Sequence, residues 1–268
     1  MISIELISRG EPSLLNTLDS LFMQDYDDYE VICVDSSEDW LVADYAKEHD
    51  LFLVSLPNDT KHLRARYEAH LHSKGELSLL LDSTRPLKRN ALRELADKFC
   101  SYDMTIIKED SIGQGFWVNQ SRKIKVISER QLIQIQNVTP AFLLPRLYNS
   151  ILLTAAFKDV KSLAGHLFSE ISYGEHHLIF ESCRKYSQNV GITTESLLSH
   201  YEDNTLMKII RKYHWYGKSQ RILNTLEKTD ASKLSSHIRK DVNLSDRVCT
   251  LPLTVARGIP FMLGYLLF

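Results

Sequence analysis

Four short polar turns carry the residue types that could do chemistry in this 268-residue chain. They are Ser8-Arg9-Gly10-Glu11, Asp35-Ser36-Ser37, Pro57-Asn58-Asp59 and Asp82-Ser83-Thr84, with Arg85 next. Each follows an apolar run. Asp, Ser and Asn are ordinary turn formers and helix caps, so any one of these turns needs no further role. Several carboxylates brought to one edge would instead hydrogen-bond a polar ligand. The chain has no serine elbow, P-loop or G-x-G-x-x-G that would point to a hydrolase, kinase or dehydrogenase.

The elements between the turns decide whether they meet. Ile2–Ser8, Glu30–Val34, Leu51–Leu56 and Leu77–Leu81 are apolar throughout and read as strands. Pro12–Gln24, about Asp39–His49 and Asp59–Ser73 read as helices; the first has proline in its opening turn and Leu14, Leu15, Leu18, Leu21 and Phe22 on one face. Such alternation predicts a parallel sheet covered on both faces, a doubly wound α/β fold. In such sheets the ligand lies outside the carboxyl ends of the strands, where all four turns fall.

Beyond Pro86 the pattern is less regular. Arg89–Cys100 reads as a helix and Asp103–Ile107 as a strand. Gly115–Asn119 and Lys123–Ser128 read as a hairpin or extended pair, and Arg146–Phe157 and Gly174–Tyr186 as helices. A long basic helix, Thr205–Leu226, precedes a polar linker and the apolar end Leu251–Phe268. The expected organisation is one α/β domain over 1–200, with halves 1–90 and 91–200, and a C-terminal helical extension over 201–268.

Composition narrows the class. The chain is 44% apolar and 25% charged, as in ordinary globular proteins, and its net charge of −2 argues against nucleic acid as a partner. Cys33, Cys100, Cys183 and Cys249 form no C-x-x-C pair and fit reduced thiols. The opening MISIELISRGE has a glutamate in its apolar run and no basic leader, so it reads as a strand. In Thr205–Leu226, Leu206, Ile209, Ile210 and Tyr213 share a face; Lys208, Arg211, Lys212, Lys218 and Trp215 lie on the other. Basic residues with tryptophan suit a helix lying on an anionic membrane, or else a solvated face. The tail Gly258–Phe268 is too short to span, and Pro252, Arg257 and Pro260 argue against a spanning helix, so peripheral attachment is expected.

Three stretches carry a family resemblance. They are LLNTLDSLFMQDYDDYEVICVDSSED (Leu14–Asp39), KHLRARYEAHLHSKGE (Lys61–Glu76) and LSLLLDSTRPL (Leu77–Leu87). With SYGEHHLIFESCRKYSQNVG (Ser172–Gly191) and SHYEDNTLMKIIRKYHWYGKS (Ser199–Ser219), they resemble the family 2 glycosyltransferases over roughly residues 1–220. The resemblance implies the GT-A fold and transfer of a sugar from a nucleoside-diphosphate sugar, with inversion, to an acceptor hydroxyl or lipid phosphate. It also implies a glycan or lipid-linked acceptor; with the reduced thiols and the basic helix, a cytoplasmic location at the membrane face is expected.

The same resemblance assigns residues. Arg9, Glu11 and Asp35 fall at the nucleotide edge, and Lys61, Arg66, Asp82, Ser83, Thr84 and Arg85 complete the nucleotide-sugar site. Arg66 reads equally as a surface helix charge. The family's Asp-x-Asp, which holds Mg²⁺ or Mn²⁺, is Asp82-Ser83-Thr84 here and lacks its second carboxylate. Metal dependence is therefore expected to be weak or dispensable. His200 could join Asp82 as a ligand, or Arg85 or Lys61 could supply the positive charge directly. The family's Glu-Asp pair, whose aspartate is usually the base, is Glu175-His176 here; Glu175 is favoured as base, with His176 the alternative. A non-catalytic nucleotide-sugar-binding domain and a nucleotidyltransferase are the competing functions.

Overall fold

In the computed structural model the described residues are 1–37, 40–134, 144–226 and 244–266. Asp39, which ends the first resemblance motif, the linker expected after Leu226 and the last two residues of the tail lie outside them. The first half alternates β1 (Ile2–Ser8), α1 (Leu14–Phe22), β2 (Tyr29–Asp35), α2 (Trp40–Glu48), β3 (Phe52–Ser55), α3 (His62–His72) and β4 (Leu77–Asp82). There follow α4 (Ala91–Phe99), β5 (Met104–Ile112), α5 (Phe116–Gln134), β6 (Leu147–Asn149), α6 (Ser150–Ala164), α7 (Glu175–Arg184), β7 (Val190–Tyr201), α8 (Leu206–Leu226) and α9 (Leu244–Leu266).

The strands form one sheet in the order β3-β2-β1-β4-β6-β5-β7. β1 runs parallel to β2 and β4, with Ser8 opposite Asp35 and Ile7 opposite Asp82, so these strands end level. β6 is antiparallel to both β4 and β5. This is the doubly wound, mainly parallel sheet that the sequence predicts. Every residue of β1 is buried, which explains why its run does not alternate. α1 covers it with Leu14, Leu18 and Leu21, buried at helical spacing, and each contributes about 1.5–3 kcal/mol by leaving water. Glu5, in the middle of β1, is fully buried: His70 Nδ1 lies 2.8 Å from its Oε1 and Ser73 Oγ donates to the same oxygen at 2.6 Å, while Oε2 has no hydrogen-bond partner among the described residues.

By compactness the chain divides into two units. One comprises Met1–Asp110, Pro145–Ile171 and Glu175–His200; the other comprises Ser111–Leu144, Ser172–Gly174 and Tyr201–Phe268. The second unit is largely helical. Its α8 and α9 touch backbone to backbone: a Cβ on Gly217 would stand 2.0 Å from the Phe261 carbonyl oxygen. Within the same unit Arg257 Nη2 donates to Ser121 Oγ at 3.0 Å, and the rings of Tyr173 and Tyr216 stack at 3.9 Å.

Several sequence expectations are corrected. Residues Gly115–Ser128 form no hairpin; α5 runs through them from Phe116. Their aromatic and β-branched residues favour strand locally, but Gly113 and Gly115 at positive φ redirect the chain, and Arg122 ties the first turns of the helix to the Ser111 and Gly113 carbonyls. Arg146–Phe157 does not begin as a helix. Leu147–Asn149 pairs as β6, and Asn149 then caps α6 by accepting from Ile151 N at 3.0 Å and Leu152 N at 3.2 Å. Leu206 is exposed rather than on the buried face of α8. α9 passes through Pro252 and Pro260, and by length and composition alone its stretch Cys249–Leu266 would suffice to cross a membrane, whereas the sequence sets these prolines against a spanning helix.

Candidate active site

The level ends of β1, β2 and β4 bring the first group together. Gly10, at φ +76°, lets the turn after β1 fold against the turn after β2; a Cβ there would meet Ser37 Cβ at 2.7 Å. Glu11 Oε2 accepts from Arg9 N at 2.9 Å and from Ser83 Oγ at 2.5 Å, joining the β1 and β4 turns. Arg9 Nη2 donates to the Asn58 carbonyl at 3.2 Å, reaching the turn after β3. Asp35 is 6% exposed. Its Oδ2 accepts from Ser37 Oγ at 2.6 Å, while its Oδ1 is buried with no hydrogen-bond partner among the described residues. A buried carboxylate oxygen left without a partner at a ligand edge is an unused acceptor for a hydroxyl or N–H.

The second group centres on Asp82, at the end of β4. Arg66 and Arg85 both bond its carboxylate, Arg66 through Oδ1 and Arg85 through Oδ2. Arg146 Nη1 reaches Oδ2 at 3.3 Å. Arg66, on α3, is fully buried and also donates to the Leu81 carbonyl at 3.4 Å and to Glu175 Oε1 at 3.5 Å. It is therefore no surface helix charge. Arg85 Nε donates to Glu109 Oε2 at 2.9 Å, and His200 Nδ1 stands 3.7 Å from Glu109 Oε1. Glu175 opens α7 as a buried carboxylate, and His176 follows it.

Electrostatics follow from this crowding. Burial opposes the charge on Asp82, but Arg85, Arg66 and Arg146 outweigh it and hold the carboxyl well below its ordinary range. Burial and then the neighbouring Arg85 push Arg146 down to about 10. Burial, reinforced by Arg66 and Arg146, holds His176 well below the ordinary imidazole range. His176 Nε2 lies 2.8 Å from Arg66 Nη2 and 3.3 Å from Arg146 Nη1. Guanidinium only donates, so Nε2 is the acceptor and Nδ1 carries the proton.

Of the predicted residues, Arg66, Asp82, Arg85, Glu175 and His176 thus form one cluster, which Glu109 extends to His200. Arg9, Glu11, Asp35 and Ser83 form another at the strand ends. Lys61 occupies the N-cap position of α3 without capping it, and Thr84 is partly buried in the turn after β4. Arg146 and Glu109 are members that the sequence did not suggest; Pro145-Arg146 precedes a strand of only three residues, too short for any periodic signal.

A divalent cation on Asp82 and His200 does not fit this arrangement. Both Asp82 oxygens already serve guanidinium groups, and among the described residues no three His, Cys, Asp or Glu side chains converge as ligands. Mg²⁺ or Mn²⁺ needs several free oxygen donors.

The parallel sheet with its polar carboxyl edge defines a GT-A-like domain. The sequence model described as glycosyl transferase family 2 matches residues 6–151, and the chain belongs to that family and is a glycosyltransferase. No curated protein matches it. Among solved structures it is similar to S. aureus TarS 1–349, at 16% identity and TM-score 0.54 over 99% of this chain and 81% of that one. The complex of TarS 1–349 with UDP-GlcNAc aligns at 15% identity and TM-score 0.58, over 98% of this chain and 89% of that one. The mannosyltransferase PcManGT from Pyrobaculum calidifontis, in complex with GDP-Man and Mn²⁺, aligns at 14% and 0.56, over 95% and 73%. At these identities the likeness is one of fold.

Proposed function

We propose that this glycosyltransferase moves a hexosyl group from a nucleoside-diphosphate sugar to an acceptor hydroxyl or lipid phosphate, inverting the anomeric carbon. The observation that carries the reading is the link made by Arg66, which joins Asp82 at the end of β4 to Glu175 at the start of α7. It ties the end of β4, which we assign to the nucleotide, to the carboxylate we assign as base. Asp35 accepts from the base or ribose through Oδ1, the buried oxygen that has no partner within the chain's described residues, and Arg9, Glu11, Ser83 and Thr84 shape the same edge. Lys61, at the mouth of α3, adds positive charge for the phosphates.

The acceptor oxygen forms its bond to the anomeric carbon as the bond to the diphosphate breaks, and the electron pair leaves with the phosphate oxygen. When the acceptor is a hydroxyl, Glu175 takes its proton. His176 is less suited, since its Nε2 lone pair already accepts from two guanidinium groups. Dependence on a divalent cation is weak or dispensable.

The second unit is the proposed membrane contact of a cytoplasmic, peripheral enzyme in glycan biosynthesis. Leu251, Val255, Ile259, Met262, Leu263 and Leu266 of α9 are each about half exposed, and neither α8 nor Cys249–Leu266 contains an Asp or Glu. Apolar side chains with only basic charge nearby suit an anionic lipid surface and a lipid-linked acceptor.

Purified protein given radiolabelled UDP-, GDP- and CDP-sugars with polyprenyl-phosphate and oligosaccharide acceptors is expected to transfer one of the sugars. Donor binding without any transfer would favour the non-catalytic alternative, and synthesis of a nucleotide sugar from NTP and sugar phosphate would favour a nucleotidyltransferase.

A further inference from the structure

We propose that Arg146, with Arg85 beside it, holds the donor diphosphate and offsets its departing charge, and that Asp82 is a positioning residue for these guanidinium groups rather than a metal ligand. The inference rests on the donor reading above and deepens it.

Asp82 engages three arginines, one through Oδ1 and two through Oδ2. A cation placed on it would have to displace those bonds and stand among three like charges. Its expected companion ligand, His200, faces Glu109, whose other oxygen serves Arg85. The carboxylates thus order arginines and leave no ligand shell among the described residues.

The three arginines are not equivalent. Arg66 is fully buried, and its donors are spent on Asp82, Glu175, His176 and the Leu81 carbonyl, so it cannot reach a ligand. Arg146 differs. Only its Nη1 has side-chain partners, namely Asp82 and His176. Among the described residues its Nε and Nη2 have none, and neither is sealed from solvent. That leaves one edge of a planar fork open, the geometry that matches two phosphate oxygens.

Backbone bonds fix where the fork stands. Arg146 N donates to the Thr105 carbonyl at 3.0 Å, and Leu80 N donates to the Arg146 carbonyl at 2.8 Å, so the residue is pinned beside the end of β4. Arg85 and Arg66 lie close enough to Arg146 to oppose its charge, which Asp82 and Glu109 only partly offset. A bound dianion relieves that crowding, and preorganised donors stabilise charge as it develops on the leaving group.

The test is titration calorimetry on the full chain with UDP, GDP and CDP and with the matching nucleosides, in EDTA and in Mn²⁺ or Mg²⁺. The nucleoside diphosphate that binds is expected to do so within about threefold in both buffers, because no ligand shell for a hard cation is present. Arg146→Gln, checked for folding by circular dichroism, is expected to weaken that diphosphate about tenfold or more and leave its nucleoside unchanged, the loss of one charge-assisted contact. Binding seen only with metal overturns the proposal whatever the variant does. So does a folded Arg146→Gln that binds the diphosphate as the native chain does. If no nucleoside diphosphate binds in either buffer, it is the donor reading itself that fails.

Discussion

Replacing Glu175 by Gln tests the catalytic assignment with little disturbance of the fold. The side chain keeps its shape and remains 9% exposed at the start of α7. The loss is one charge-assisted contact, Arg66 Nε to Oε1 at 3.5 Å, worth about 1–2 kcal/mol. The larger cost of about 3–5 kcal/mol for stranding a buried charge does not apply, since Arg66 keeps Asp82 as its counter-ion. For a chain of this size Tm should therefore fall by only about 2–8 °C. An amide cannot take a proton, so kcat should fall by roughly 10²–10⁴ while the donor Kd stays the same. His176→Asn, which removes an imidazole whose acceptor lone pair is already occupied, should cost less than about tenfold in kcat. Single-turnover kinetics at saturating donor, with donor Kd by calorimetry, separate the two variants. Near-native turnover in Glu175→Gln would falsify the assignment, and a large loss confined to His176→Asn would move the base to the imidazole.

Three further outcomes are expected. Asp35→Ala should weaken the bound nucleoside diphosphate by roughly tenfold, measured by calorimetry, since a buried carboxylate oxygen no longer accepts from the ligand; unchanged affinity counts against Asp35 as a nucleoside contact. The His176 pKa is depressed in the fold, so its neutral form is stabilising above the unfolded value of 6.5, and this contribution is lost as pH falls below it. Urea unfolding between pH 7 and 5 should accordingly lose stability with a slope of up to about 1.4 kcal/mol per pH unit, and His176→Asn should flatten it; identical slopes would refute the buried neutral imidazole. In flotation assays the protein should rise with anionic vesicles and not with neutral ones, and an Ile259→Ser, Leu263→Ser double variant should stay at the bottom; a native chain that ignores both vesicles removes the membrane surface.

The first half of the fold was legible because its strands are buried on both faces, which leaves unbroken apolar runs in β1 and β4. The turns at their ends were legible for the same reason, since parallel strands of equal register end together. α5 was not legible, as Trp117, Val118, Ile124 and Val126 favour strand, and contacts the sequence does not announce, such as Arg257 on Ser121, help hold the helix. Arg146 was hidden more deeply. Nothing near Pro145-Arg146 marks it, and its place is set by backbone pairing with residues 41 and 66 positions earlier, Thr105 and Leu80. Asp82, Arg66 and Arg85 were found, but that they bond one another was not. Read alone, an aspartate at a strand end is a metal ligand; among three guanidinium groups it is an anchor for cations already present.

That change of role explains why Arg66 can be buried completely. A lone guanidinium with no exposure would be costly, but this one bonds a carboxylate on each side, Asp82 and Glu175, and a backbone carbonyl between them. It couples the end of β4 to the start of α7 through one rigid planar group, whereas a lysine would hold only a point charge between the two. On the assignment proposed above, it thereby fixes the base relative to the donor edge. In an inverting displacement the base and the leaving group act on opposite sides of one carbon, so their separation must be fixed while bonds are made and broken. The buried arginine supplies that rigidity from within a single unit of the fold, and it leaves Arg146, one residue outward, free to meet the charge that leaves.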